Sequence, residues 1–355
     1  MLPFLGWTRA ISLLNSLAFV LGAASAFAQT SPPQEDASLD KQLQSIAAAH
    51  HGHVALYAHN LKTGQTASLA PDLLVKTAST IKLGILLDAA EQIRSGHASL
   101  AERLVLSKAN QVEGSGILGQ LTPPIALTLG DTLTLMVVLS DNTATNMAID
   151  RLGLEHINST LRAAGLRQTV LYKKVYVAAT GPLPADQPLF GLGKTTPREM
   201  ASIMERFATC DLDLEDSAQK AQPTSPQSAP KAQLAPPQVV CGAILHMLRN
   251  QQDRDSLPRS IEFMDTSEHG SAIANKTGAL DQVRNDVALI STKNGPVIIA
   301  GFTFDNADRR WNGDNEGEQT LAKLAQAIVN AWSPNGLDPT AFPWDDPLEP
   351  ASHLR

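Results

Sequence analysis

The sequence predicts an α+β fold: one antiparallel sheet built from the two ends of the chain, flanked by terminal helices, with an all-helical lobe inserted between its strands. Three observations carry this. Period-two apolar patterning occurs near the start, HVALYAHNLKTGQTASLA (53–70), and again near the end, SAIANKTGALDQVRNDVALISTKNGPVIIAGFTF (271–304). The long middle reads at helical period. Helical stretches also flank the two strand regions, LDKQLQSIAAA (39–49) before the first and roughly 316–331 after the second. Sheet residues buried against helices on both sides give the simplest packing of such a string.

Taken in order, the first residues are MLPFLGWTRAISLLNSLAFVLGAASAFAQT. Arg9 precedes a mostly apolar run, and Ala26-Phe27-Ala28 offers the small-x-small pattern of a cleavage site. We expect residues 1–28 to be a signal peptide cleaved after Ala28, 29–38 a loose leader, and the protein to be periplasmic or secreted without stable membrane insertion. The strand pair at 53–70 turns at Lys62-Thr63-Gly64. A helix follows Ser79 with Leu83, Leu86 and Leu87 on its apolar side, and the helical lobe is expected over about 72–265. Within it, 128–153 and 154–166 are broken by glycine, and 177–196 is a Pro- and Gly-rich loop ending at a helix that Pro197 opens. The late strands turn near Lys293-Asn294-Gly295, and 332–355 is a proline-rich tail in which Trp332 and Trp344, with Trp311 before them, are expected to pack or anchor.

Composition narrows the function. The 355 residues carry 28 basic and 35 acidic side chains, a net charge of -7, with no basic block, which excludes a general nucleic-acid surface. The only cysteines, Cys210 and Cys241, flank DLDLEDSAQKAQPTSPQSAPKAQLAPPQVV (211–240), whose composition neither packs a core nor holds a helix. In an oxidising compartment they can form one disulfide at the feet of this excursion. His50-His51-Gly52-His53 lacks the spacing of a metal site, and Gly191-Leu192-Gly193-Lys194 lacks that of a phosphate loop. No heptad or apolar patch argues for an oligomer, so a monomer is expected.

Three short motifs carry chemistry. In Ser79-Thr80-Ile81-Lys82 the serine stands one helical turn before a lysine, which can take its proton if burial or nearby positive charge lowers the amine's pKa. Alone, the pair reads as an N-capping hydroxyl and a solvent-seeking lysine. Ser140-Asp141-Asn142 alone reads as a helix cap. Lys276-Thr277-Gly278 lies on a predicted strand, where Gly278 admits close backbone approach.

Together, in this order and on helix, loop and strand, the motifs resemble those of the penicilloyl-serine transferase superfamily, and within it the class A β-lactamases. The resemblance covers about residues 39–331. It implies that Ser79 attacks a lactam carbonyl, that Lys82 accepts or relays its proton, that Ser140 shuttles a proton to the leaving nitrogen, and that Asn142 bonds the acyl side chain. It further implies that Lys276 and Thr277 meet a substrate carboxylate beside Gly278, and that the backbone N–H groups of Ser79 and Ala279 form an oxyanion hole. Arg284 is a candidate for the same carboxylate or, equally, a surface pairing residue. Such chemistry needs no metal or organic cofactor.

One departure matters. Class A enzymes carry a loop glutamate that activates the deacylating water. Residues 169–200 contain no glutamate before Glu199, which suits the start of the next helix. Asp186 is the only carboxylate of the loop, and we take it as the candidate base, a methylene shorter. Three functions therefore stay open: a serine β-lactamase; a penicillin-binding D-Ala-D-Ala peptidase-like or esterase-like hydrolase with slow lactam turnover; and a non-catalytic scaffold. The retention of Ser79, Lys82, Ser140 and Lys276 weighs against the last.

Overall fold

A computed structural model describes Met1 and residues 37–179, 181–212, 214, 236–261 and 270–343. The expected signal peptide, most of the excursion, and the tail from Trp344 onward lie outside the described residues. No described helix is long and apolar enough to cross a membrane.

The elements follow as α1 Ala37–Ala48, β1 His53–Asn60, β2 Thr66–Leu69, β3 Val75–Lys76, α2 Lys82–Arg94, β4 Arg103–Leu106, β5 Ile125–Thr128, α3 Leu129–Val138, α4 Asn142–Leu152 and α5 Leu154–Ala163. They continue as β6 Val170–Leu171, α6 Gln187–Phe190, β7 Gly193–Thr195, α7 Pro197–Thr209, α8 Pro237–Arg249, β8 Ile273–Leu280, β9 Val283–Ile290, β10 Val297–Phe304 and α9 Glu316–Trp332. Five strands form the antiparallel sheet in the order β2-β1-β10-β9-β8, so the first and last strand regions meet at β1 and β10, with His53 opposite Phe304. The early and late patterning thus closes one sheet.

The reason β10 reads as a continuous apolar run, VIIAGFTF, is that the sheet is covered on both faces. Val297 and Ile299 pack with Leu39, Leu43, Leu324 and Ile328 of α1 and α9. Ile298, Ala300 and Phe302 pack with Ile81, Met204, Phe207 and Leu245 on the helical side. Within that lobe α2 is buried all round, from Lys82 through Ala90 and again at Gln92 and Ile93. A helix so enclosed has no polar face to give a lysine. Lys82 is at 0% exposure at its first position.

Cys210 and Cys241 are bonded and join the end of α7 to α8. With a sequence separation of 31 residues between the two cysteines, loop-closure entropy assigns the bond about 2–4 kcal/mol. Replacing both by serine is expected to lower unfolding stability by that amount, read as a shift in the urea midpoint. The loop between α5 and α7 holds more structure than its composition suggests. β6 and β7 pair in it, and β7 also pairs with β3, Lys76 opposite Lys194. Glu199 stands in the first turn of α7, and its carboxylate also accepts from Gln168 N and Thr169 Oγ1, which ties this loop down. Trp332 is buried as expected, but Trp311 is 66% exposed and lies over the Arg284 guanidinium instead of packing in the core.

Candidate active site

The three motifs converge. Ser79 lies in a 3-10 turn, Ala78–Ile81, that precedes α2, whose first residue is Lys82. The Ser79 side chain caps neither the turn nor α2, and Lys82 does not reach solvent, so both parts of the plain reading fail. Ala78 enters the turn at φ 45°, and Ser140 has φ 52°. A left-handed β-carbon-bearing residue is strained, and here one precedes the candidate nucleophile while the other carries the second hydroxyl.

Ser140 is the meeting point. Lys82 Nζ donates to its carbonyl at 2.8 Å and to its Oγ at 3.0 Å, and to Asn142 Oδ1 at 3.3 Å. From the sheet, Lys276 Nζ donates to the same Oγ at 3.1 Å and to Thr277 O at 2.8 Å. Asp141 fixes the segment: its buried carboxylate accepts from Ala144 N at the start of α4 and from Ile117 N and Leu118 N. Asn142 Nδ2 donates to Glu113 O. A cap that also anchors a neighbouring loop holds the hydroxyl between it and the two lysines.

Gly278 admits the sheet. A β-carbon there would lie 2.9 Å from both Ser79 N and Thr80 N and 3.0 Å from Thr77 O. Only glycine lets β8 come this close to the turn. Being the edge strand, β8 directs alternate N–H groups away from β9, toward the cleft where Ala279 lines the wall beside Ser79. Asn285, opposite Gly278 on β9, clamps the junction by donating to Lys76 O at 2.8 Å and Thr77 O at 3.2 Å.

The electrostatics suit proton transfer. Burial pushes Lys82 well below the ordinary lysine value, and the charge of Lys276 pushes it further, against the opposing pull of Asp141. Burial also lowers Lys276, to about 8, although Asp253 and Asp286 pull it upward. Asp286 is itself raised to about 7 by burial, while a hydrogen bond from Asn275 opposes the rise. Both lysines are thus pushed toward the neutral form, Lys82 by burial and by the charge of Lys276 beside it.

Two candidates require correction. Asp186 does not line the cleft, and its Oδ2 is held by Lys194 Nζ at 2.6 Å. A lysine eight residues on, in β7, captures the carboxylate before it can turn inward. Arg284 lines the outer cleft, but its donors serve the fold: Nε meets Glu318 at 3.1 Å, and the other nitrogens meet the carbonyls of Leu280, Val283 and Arg310.

Sequence reasoning missed Asn146. One turn beyond Asn142 on α4, it donates to Val175 O at 2.9 Å and accepts from Val175 N at 2.8 Å. Val175 is thereby fixed as part of the cleft wall. The cleft encloses about 1060 Å³ and includes Ser79, Ser140, Asn142, Thr277, Gly278 and Ala279. Among the described residues, Asp88, Glu91 and His156 place ligand atoms within 4.8 Å of one another, as a metal would need. They lie outside the cleft on α2 and α5, and Asp88 already accepts from Thr160, Gln92 and His156.

Solved structures share this architecture. A beta-lactamase from Sphaerobacter thermophilus DSM 20745 aligns with a TM-score of 0.66 at 26% identity, covering 82% of this chain and 96% of that one. PBP-A, as a point mutant in an acyl-enzyme complex with penicillin G, aligns with a TM-score of 0.66 at 23% identity, over 85% and 98% of the two chains. An ancestral class A beta-lactamase (GNCA) aligns with a TM-score of 0.63 at 19% identity, over 82% and 99%. The fold is therefore that of the β-lactamases and of PBP-A. No curated protein sequence matches. The profile of the beta-lactamase enzyme family matches residues 38–222 and 232–332, and the chain belongs to that family.

Proposed function

We propose that this protein is an exported serine hydrolase of the β-lactamase type that opens the lactam amide through an acyl-enzyme on Ser79 and releases the acyl group slowly. The observation that carries the reading is the shared Ser140 hydroxyl, held by buried Lys82 on one side and Lys276 on the other. Neutral Lys82 takes the Ser79 proton as Oγ bonds to the carbonyl carbon. The oxyanion forms against the N–H groups of Ser79 and Ala279. As the C–N bond breaks, Ser140 gives its proton to the nitrogen and is resupplied from the lysines. Lys276 and Thr277 hold the substrate carboxylate, and Asn142 bonds the acyl amide. Export is supported by the N-terminal pattern and the disulfide.

A second reading, a penicillin-binding peptidase acting on D-Ala-D-Ala-like peptides, is favoured by one observation. Val175, where the wall is pinned to α4, bears no carboxylate, and the carboxylates that line the cleft stand with β8 and Trp311. Intact mass of the mature chain with a chromogenic cephalosporin, while colour is followed through many equivalents, tests the slow release that both readings share. A persistent adduct with about one equivalent of colour supports slow release. Continued colour with a fleeting adduct makes the protein a full β-lactamase, and neither adduct nor colour sinks both readings.

The lysines also predict a pH profile. A lysine is charged below its pKa, so the acylation rate should climb with pH as Lys82 loses its proton. It should fall as pH rises through about 8, where Lys276 becomes neutral. Lys276→Arg keeps the charge and should move the alkaline limb upward. An alkaline limb that stays in place in this variant would remove Lys276 from the assignment.

A further inference from the structure

We infer that the acyl side of the cleft selects acyl donors that carry a carboxylate, with Lys173 as the selecting residue; this rests on the reading of Ser79 as the acylated residue. The cleft is charged unevenly. Lys76, Lys173 and Lys174 line it together with Ser115, Asn142 and Val175. Among the described residues, the carboxylates that line the cleft belong to the other side: Asp253, Asp255, Asp281 and Glu318 stand with β8 and Trp311.

Hydrogen bonds and close contacts fix which residues share the basic side. The 173–176 segment is bound to α4 through Asn146 and through Lys174, whose Nζ meets Asp150 at 2.8 Å. Tyr176 borders Gly114, which borders Asn142. Lys76 adjoins on β3, opposite Lys194, and Lys194 is occupied by Asp186. Of the four ammonium groups in this neighbourhood, those of Lys174 and Lys194 are therefore neutralised. Lys173 and Lys76 have no carboxylate within ion-pair distance among the described residues and both are half-buried, but Lys173 belongs to the segment that Asn146 ties to α4 beside Asn142, whereas the backbone of Lys76 is tied to β9 by Asn285.

A half-buried ammonium without a counterion has lost hydration and gained nothing for it. An anionic group on the incoming acyl chain restores the balance, whereas an ammonium there would meet like charge. The far wall sharpens the choice by repelling the anion toward Lys173. Lys276 is not the partner of this second carboxylate, because it stands on the leaving side of the nucleophile, where it donates to Ser140 and Thr277. The favoured substrate class is an amide or lactam with one carboxylate on the leaving side of the scissile bond and another on the acyl side.

Three penicillins that share one nucleus and a benzyl acyl chain, bearing a carboxylate, a hydrogen or an ammonium at the α-carbon, test this on the full mature protein. Second-order acylation rates are read by intact mass. The carboxylate compound should react about tenfold faster than the ammonium compound, the low end of electrostatic steering, with the neutral one between. The gap should narrow in high salt. Lys173→Gln should remove most of it, Lys173→Glu should reverse the order, and Lys173→Arg should keep it. The readout is a ratio within one protein, which a merely structural role for Lys173 would not move. Equal rates in the parent, a faster ammonium compound, or an unchanged gap in Lys173→Gln would overturn the inference while leaving the acyl-enzyme intact. If none of the three labels the protein, the Ser79 reading fails first.

Discussion

Ser79→Ala will form no penicillin adduct, whereas its melting temperature will stay close to that of the parent. The hydroxyl is half-buried and caps no helix, so its removal takes little from the fold. Lys82→Ala will still contain the nucleophile but acylate about 10²–10⁴ times more slowly, the usual contribution of a positioned base. Unlike Ser79→Ala, it empties a fully buried site and leaves Ser140 with one amine instead of two, so some stability will be lost as well. The comparison is made by intact mass with a reactive penicillin. An adduct on Ser79→Ala would mean that another residue is the nucleophile.

Val175→Glu is expected to have the opposite effect, turning a lasting adduct into a transient one. The backbone of Val175 is already held at both N and O by Asn146, so a new side chain there starts from a fixed point in the cleft wall. A carboxylate at that point can draw a proton from water near the acyl ester, and the lysines of the same wall favour its ionised form. Release of the acyl group should quicken by about 10²–10⁴. The rate is read by mass after excess penicillin is removed. If Val175→Glu acylates normally but holds its adduct as long as the parent, the missing carboxylate is not what limits release.

The long elements are legible because period and punctuation agree in them. The strand pair turning at Gly64, the α7 start at Pro197 and the late strands with Gly295 all lie where the pattern puts them. The motif residues Ser79, Lys82, Ser140, Asn142, Lys276 and Gly278 come together around one cleft. What is not legible has specific causes. β3, β6 and β7 are two or three residues long, too short for any period to show, so the loop that holds Val175 reads as structureless. Arg284 illustrates how a strand hides its faces: its neighbour Asn285 is the residue that meets Lys76 and Thr77, while Arg284 turns to Glu318 on α9. Asp186 stands out in the sequence as the loop's only carboxylate, but its capture by Lys194 depends on the turn between α6 and β7, which no pattern announces. Asn146 has one weak signal, its place one turn beyond Asn142.

The lysine that comes from the core of the helical lobe and the lysine that comes from the sheet edge donate to a single hydroxyl. Neither half of the molecule owns the proposed reaction centre, which is assembled at their seam. Covalent labelling is therefore a gauge of assembly: a chain whose sheet and helices have formed but parted slightly will bind little label. Under rising urea, loss of labelling should precede or accompany loss of helix, and a variant that loosens the seam will look catalytically dead long before it looks unfolded.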